Sequence, residues 1–348
     1  MLPTKAYAAR SASSGLSPFD FDRRSPNPQD VHIDILYCGV CHSDLHQVRN
    51  EWSASIYPMV PGHEIVGRVI AIGNSVNKFR VGDLAGVGVM IDSCRNCIPC
   101  KQDLEQYCEQ GFTGTYNAFE KDGKTIVQGG YSTQIVTDEH YVHHISPKLD
   151  LKGVAPLLCA GITTYSPLRY ARVGKGTRVA VVGLGGLGHM GVKFAASFGA
   201  EVTVLSTSPE KEKDAMQLGA RRFLLTTDEA QMKRDDSRFD VILNTVSANH
   251  DYAKYLNLLG LNGQMLIVGL PPKDPALKPF ALLKNRRSIT GSMIGGMKET
   301  QEMLDYCAQH NIVADVEVIP MQEINAAYER MVRGDVRYRF VIDLASLK

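Results

Sequence analysis

Up to about residue 150 the apolar positions come in short runs cut by turn residues. Val31–Leu36, Ile65–Ile72 and Ile135–Val136 are divided by Pro26-Asn-Pro28, Gly73-Asn74 and Gly82-Asp83. Short apolar runs bounded by Gly, Pro, Asn and Asp predict strands. Ile65–Ile72 followed closely by Val81-Gly-Asp83 predicts a compact β-barrel meander. From about residue 154 the pattern changes. Arg178–Val182 is a buried strand that runs straight into glycines, then a helix at Leu187–Phe198, a strand at Glu201–Leu205 and a helix at Glu210–Leu218. Strands at Arg222–Leu225, Phe239–Leu243, Gln264–Val268 and Ser288–Thr290 follow, with helical stretches between them. Strands alternating with helices predict a parallel, doubly wound sheet. A helix at Lys298–His310, a strand at Val316–Ile319, a helix at Gln322–Val332 and a strand at Arg339–Ile342 exceed what a six-stranded sheet needs. The tail is therefore expected to return to the first domain. The predicted fold is α/β, with one β-rich domain from 1–153 plus 297–348 and a nucleotide-type domain over 154–296.

Composition narrows the class. The 348 residues carry 38 basic and 37 acidic side chains, a formal net charge of +1, which excludes a strongly basic nucleic-acid binder. No apolar run reaches the ~18 residues of a membrane span. The start Met1-Leu-Pro-Thr-Lys-Ala-Tyr7 lacks the long apolar block of a signal peptide, so a soluble cytoplasmic protein is expected.

The eight cysteines are unevenly placed. Cys94, Cys97, Cys100 and Cys108 are spaced C-x2-C-x2-C-x7-C. In a reducing compartment such packed thiols are more often metal ligands than disulfides, and four thiolates suit a closed, structural zinc site. An iron–sulfur cluster or free thiols are the alternatives. Arg95 and Lys101 are expected to offset the charge. A looser group comprises Cys41, His63 in Pro61-Gly-His-Glu64, and Cys159, which lies 96 residues after His63. Two cysteines and one histidine make an open, catalytic zinc site. The long gap is weak support for a ligand, and read alone Cys159 is more often a small buried hydrophobe. Cys38 and Cys307 read as core.

Gly183-Leu-Gly185-Gly186-Leu187-Gly188 sits between a strand and a helix, the context a dinucleotide loop requires. Gly183 permits the turn, Gly185 lets the backbone approach a pyrophosphate, and Gly188 lets helix and strand pack. NAD binders carry Asp or Glu at the tip of the next strand. Here Ser206, Thr207 and Ser208 stand there, with Lys211 beyond. Small hydroxyls and a cation favour a 2′-phosphate, hence NADP(H). A plain helix cap is the other reading of the three hydroxyls.

These words together resemble the zinc-dependent medium-chain alcohol dehydrogenases, in their cinnamyl alcohol dehydrogenase branch. The likeness rests on Cys38-Gly-Val-Cys41-His-Ser-Asp-Leu-His46, Tyr57-Pro-Met-Val-Pro-Gly-His63-Glu64, Cys159-Ala-Gly-Ile-Thr-Thr-Tyr165, the glycine loop and Gly291-Ser-Met-Ile-Gly-Gly296. It implies a GroES-like catalytic domain split by a Rossmann domain, and two Zn2+ per chain with NADP(H). It assigns the catalytic zinc to Cys41, His63 and Cys159, with Glu64 beside the metal and Asp44 orienting the site. Ser43 and His46 would carry the proton relay; read alone, Ser43 is a turn residue and His46 an ordinary histidine. His42 is implied at the cofactor phosphates, and Thr163, Val246, Ser292 and Ile294 near the nicotinamide. Trp52, Met59 and Leu158 are expected at the substrate pocket, Ile294 at its wall too; packing is the plain alternative for Trp52. The implied activity is reversible hydride transfer between NADPH and aliphatic or aromatic aldehydes. NAD-linked alcohol or polyol oxidation and a non-catalytic zinc scaffold are the competing readings. A homodimer through the sheet edge near Arg287–Ile294 is implied, with a small-molecule alcohol or aldehyde as the only other partner.

Overall fold

The computed structural model describes residues 1–347; residue 348, the last of the predicted tail, lies outside them. The chain divides into two compact units, one of Met1–Cys159 and the segment from Gly295 onward, the other of Ala160–Ile294. The division falls a few residues later than the pattern change at 154. The turn Leu151–Val154 belongs to the first unit because Ala314 N donates to Gly153 O at 3.0 Å and a Cβ at Gly153 would meet Val313 at 2.8 Å.

The first unit is built on a seven-stranded sheet. Its path runs His143–His144, Leu84–Val87, Ile65–Ile72, Asp30–Gly39, Arg339–Asp343, Val316–Pro320, with Gln134–Asp138 pairing antiparallel to Asp30–Gly39. The predicted barrel meander is thus an open path with separate two-stranded ladders. Two tail strands extend it, Arg339–Asp343 antiparallel to Asp30–Gly39 and parallel to Val316–Pro320. Ile33, Ile35, Ile65 and Val69 on neighbouring strands, with Ile324 and Tyr328 from the tail helix Ile324–Val332, form one core. The tail returns because its apolar stripe is buried there.

In the second unit six parallel strands lie in the order Arg222–Leu225, Glu201–Ser206, Arg178–Val182, Phe239–Asn244, Leu259–Ile267, Ser288–Gly291. Numbered along the chain this is 3-2-1-4-5-6, the doubly wound order that leaves a crevice at the carboxyl ends of the first and fourth strands. Val179–Val182 are all buried, as a central parallel strand covered on both faces requires. The helix expected at Leu187–Phe198 spans Gly188–Ser197; that expected at Glu210–Leu218 opens with a 3-10 turn at Pro209–Lys211 and becomes α-helical at Glu212–Gln217. No helix among the described residues is long and apolar enough to cross a membrane.

Candidate active site

The helix His42–Val48 starts one residue after Cys41, with Asp44 at its third position. A carboxylate there reaches back to cap the helix entry. Asp44 Oδ2 accepts from Cys41 N at 2.9 Å, which fixes the backbone carrying the first sulfur. Asp44 Oδ1 accepts from Gly62 N at 3.1 Å and from His63 Nδ1 at 3.0 Å. The imidazole is thereby held by one nitrogen, leaving Nε2 as its donor. Cys159 follows the 3-10 turn Ala155–Leu158. Its Sγ lies 3.9 Å from that of Cys41. The ligand atoms of Cys41, His63, Glu64 and Cys159 all lie within 4.8 Å of one another, and all four residues are buried.

The electrostatics of this donor set suit a divalent cation. The Cys41 thiol is held well below its ordinary value, chiefly by its hydrogen bond with Cys159, against burial. Cys159 is pushed up by the same contact and by burial. Burial pulls His63 down, but Asp44 and Cys41 outweigh it and leave the imidazole raised. Two sulfurs and an imidazole compete for protons, and a cation relieves that by taking their lone pairs. Glu64 Oε1 pairs with Arg339, while buried Glu64 Oε2 has no hydrogen-bond partner among the described residues. An orphaned carboxylate oxygen beside two thiols fits a metal neighbourhood. Zinc fits these residues.

The second cluster has the other character. Cys94, Cys97, Cys100 and Cys108 gather their sulfurs within 4.8 Å, and Cys94 Sγ accepts from the backbone N–H of Asn96 at 3.4 Å and of Cys97 at 3.3 Å. Cys108 Sγ accepts from Cys94 N at 3.4 Å. Four thiolates leave no open position, as in a structural site. Arg95 does not serve it as expected: its guanidinium is engaged by Asp92 and Asp138, both at 2.9 Å.

Ser43 Oγ lies 3.6 Å from Cys41 Sγ. His46, one turn on, pairs through Nδ1 with Glu51 and stacks on Trp52 at 4.9 Å between ring centroids. Glu51 was not singled out by sequence, because it lies past the helix end, where no periodicity applies. Arg339 and the phenols of Tyr116, Tyr131 and Tyr328 around Asp44 were missed too. They come from distant segments, and nothing local marks them. Burial, then the Asp44 charge, pushes Tyr116 and Tyr131 well above the ordinary range; burial leads for Tyr328 too. All three phenols stay protonated.

In the second unit each loop glycine has its own reason. Gly183 sits at φ 87, and a Cβ at Gly188 would lie 2.1 Å from the Gly183 carbonyl. A Cβ at Gly185 would meet nothing within 4 Å, so this backbone is open to a ligand's approach. No side chain caps the helix that begins at Gly188, so Gly186 and Leu187 lead into an uncapped first turn suited to phosphate. Lys211 Nζ reaches back to the Leu184 carbonyl at 3.1 Å, bringing a cation to the same loop. Ser206 ends its strand and accepts from Ser208 N at 3.1 Å, while Thr207 is exposed. Val246 packs at the Gly183 turn, Thr163 is buried in the helix Ala160–Tyr170, and Ser292 follows the last strand. Ile294 has φ 41, an outlier for a β-branched residue and the kind of strain that gathers at binding sites.

Two expectations are corrected. Met59 and Leu158 are each 1% exposed. Met59 exchanges backbone bonds with Ala9 at 2.9 Å inside the core, and Leu158 packs where Gly86 and Gly88 lack side chains. Neither offers surface to a substrate; apolar residues next to the metal words turn inward to hold them. Trp52, by contrast, is half-exposed, and His42 is exposed.

Residues 27–147 match the alcohol dehydrogenase GroES-like domain family, and residues 186–309 match the zinc-binding dehydrogenase family. The chain is 54% identical over 347 residues to the aldehyde reductase YahK of Escherichia coli, covering 99% of each chain. It is 52% identical over 347 residues to NADP-dependent alcohol dehydrogenase C of Mycobacterium tuberculosis, covering 100% of each. The crystal structure of a cinnamyl alcohol dehydrogenase from Helicobacter pylori complexed with NADP(H) superposes with a TM-score of 0.93 at 43% identity, covering 99% of each chain. With its GroES-like unit, its doubly wound unit and both cysteine clusters, the chain belongs to the zinc-binding alcohol dehydrogenase family.

Proposed function

We propose that the chain is a zinc-dependent, NADP(H)-linked alcohol dehydrogenase that reduces aliphatic and aromatic aldehydes and reverses the reaction on the corresponding alcohols. The observation that carries this reading is the convergence of Cys41, His63 and Cys159, with the orphaned Glu64 oxygen, in one buried cluster. When bound, zinc supplies Lewis acidity toward a carbonyl oxygen and NADPH supplies the hydride. Cys41, His63 and Cys159 hold that metal, and Cys94, Cys97, Cys100 and Cys108 hold the structural one. Asp44 orients His63. Ser43 keeps a hydroxyl proton beside the Cys41 sulfur, and His46, partly exposed and held at Nδ1 by Glu51, exchanges protons with solvent at its other nitrogen.

Gly183, Gly185, Gly186, Leu187 and Gly188 cradle the dinucleotide phosphates. Ser206, Thr207, Ser208 and Lys211 take the 2′-phosphate, since no carboxylate stands at this strand tip to repel it. Thr163, Val246, Ser292 and Ile294 border the nicotinamide, and Trp52 borders the substrate. An apolar pocket separates similar aldehydes by only about 1–3 kcal/mol per methylene, which makes broad specificity the natural outcome. The second copy in a homodimer pairs along Ser288–Gly291, the edge strand of the parallel sheet. Eight cysteines outside any disulfide, six of them in the two metal clusters, suit the reducing cytoplasm.

The test is metal content together with kinetics on a panel of aldehydes. Two zincs per chain and a kcat/KM at least ten-fold higher with NADPH than with NADH are expected. A clear NADH preference, or a single zinc in an inactive protein, overturns the reading.

A further inference from the structure

The most connected buried group around the catalytic cluster is the Asp44 carboxylate, which is 0% exposed. Three of its donors are Cys41 N, Gly62 N and His63 Nδ1, all within or beside the donor set. Another is the Tyr131 hydroxyl, which donates to Asp44 Oδ2 at 3.3 Å, beside the Tyr116 phenol that also bonds this carboxylate. Tyr131 is fully buried. Its backbone N donates to Pro61 O at 2.9 Å, and a Cβ at Gly62 would fall 2.6 Å from ring atom Cδ1. Gly62 has φ 104 and immediately precedes His63. The Tyr131 ring therefore occupies the space that the missing side chain leaves, while its hydroxyl reaches the carboxylate that holds the imidazole. From the tail helix Ile324–Val332, the Tyr328 hydroxyl donates to the Tyr131 oxygen at 3.5 Å. A phenol has one hydrogen to give. Accepting from Tyr328 leaves the Tyr131 hydrogen committed to Asp44.

We propose that Tyr131 is a positioning residue for the catalytic metal: its ring braces Gly62 and its hydroxyl fixes Asp44, so that His63 presents its free nitrogen beside Cys41 and Cys159. Tyr328 sets the direction of the Tyr131 proton. This rests on the reading that Cys41, His63 and Cys159 hold zinc. Loss of the hydroxyl removes one donor from Asp44 Oδ2, which keeps Cys41 N, and so loosens the carboxylate that orients His63. Groups that orient a ligand in this way change metal affinity about 10–100-fold when removed.

The experiment follows zinc release to a chelator in the intact protein, with Tm measured alongside. Wild type releases two zincs in two phases, and the phase missing in Cys159→Ala identifies the catalytic site. In Tyr131→Phe that phase is expected to accelerate at least ten-fold while the other phase stays unchanged. Tyr328→Phe moves the same phase in the same direction by a smaller factor, and carries the test alone if Tyr131→Phe does not fold. A lowered Tm with both phases unchanged, or both phases accelerated alike, overturns the proposal and leaves Tyr131 a packing residue. One zinc per wild-type chain instead overturns the metal assignment on which it rests.

Discussion

Glu64 and Arg339 are 275 positions apart and meet in the interior, with side chains 0% and 5% exposed. Burial lifts the Glu64 carboxyl and the Arg339 charge pulls it back, leaving it at about 7. A charge stranded by loss of its buried partner costs about 3–5 kcal/mol, whereas loss of both often costs little. Arg339→Met should therefore lower unfolding free energy by about 3–5 kcal/mol in denaturant titrations. The pair Glu64→Gln with Arg339→Met should lose clearly less than the sum of the two single changes. Additive losses would mean that the two groups do not act as a pair. His63 and Cys41 were legible from their sequence words. Arg339 was not, because an ion pair between distant strands leaves no trace in spacing.

Among the elements, the strand His143–His144 carries a buried liability. It pairs with Leu84–Val87 and places His143 in the interior with Nδ1 unbonded among the described residues. Burial pushes this imidazole down to about 3. Between the unfolded value near 6.5 and that point, the unfolded chain binds a proton that the native residue refuses. Stability therefore falls as pH drops through this window, by about 1.4 kcal/mol per unit, and is unaffected by this group above it. His143→Leu should flatten the acid limb of unfolding free energy between about pH 6 and pH 4 by that slope. An unchanged slope would show that other groups govern it. The sequence located most elements by period and turn residues, and missed by a few residues at ends such as Met321–Glu323, where a 3-10 turn precedes the tail helix.

For the whole molecule, the proposed dimer would form along Ser288–Gly291, the edge strand of the parallel sheet. Ser292 N donates inward to Ile267 O at 3.1 Å, so by the alternation of a parallel strand the Ile289 N–H faces away from the sheet. Leu261, Phe280 and Leu283 in the same unit are 73%, 72% and 75% exposed. Ile289→Pro removes an outward donor while sparing the inward ladder. The variant should elute as a monomer where the wild type elutes as a dimer, with mass set by light scattering. An unchanged dimer would place the interface elsewhere. The four-cysteine lobe also reaches beyond its own ladder: Glu105, between Cys100 and Cys108, accepts from Met297 N at 3.0 Å and so caps the 14-residue helix Met297–His310.

By itself the sequence determined the alternation of strand and helix, the glycine turn and the four-cysteine lobe. Each is a local pattern, written within one strand–loop–helix passage or one short run of thiols. It also narrowed the cofactor, because the tip of a single strand holds hydroxyls where a carboxylate would stand. The tertiary structure decided what depends on distance in space. It set Cys159 beside Cys41, brought the tail strand so that Arg339 meets Glu64, gathered three phenols on Asp44, and sealed Met59 and Leu158 into packing. Pairing across a sheet and burial in a core are settled by the global minimum of the chain, and no window of neighbouring residues contains them.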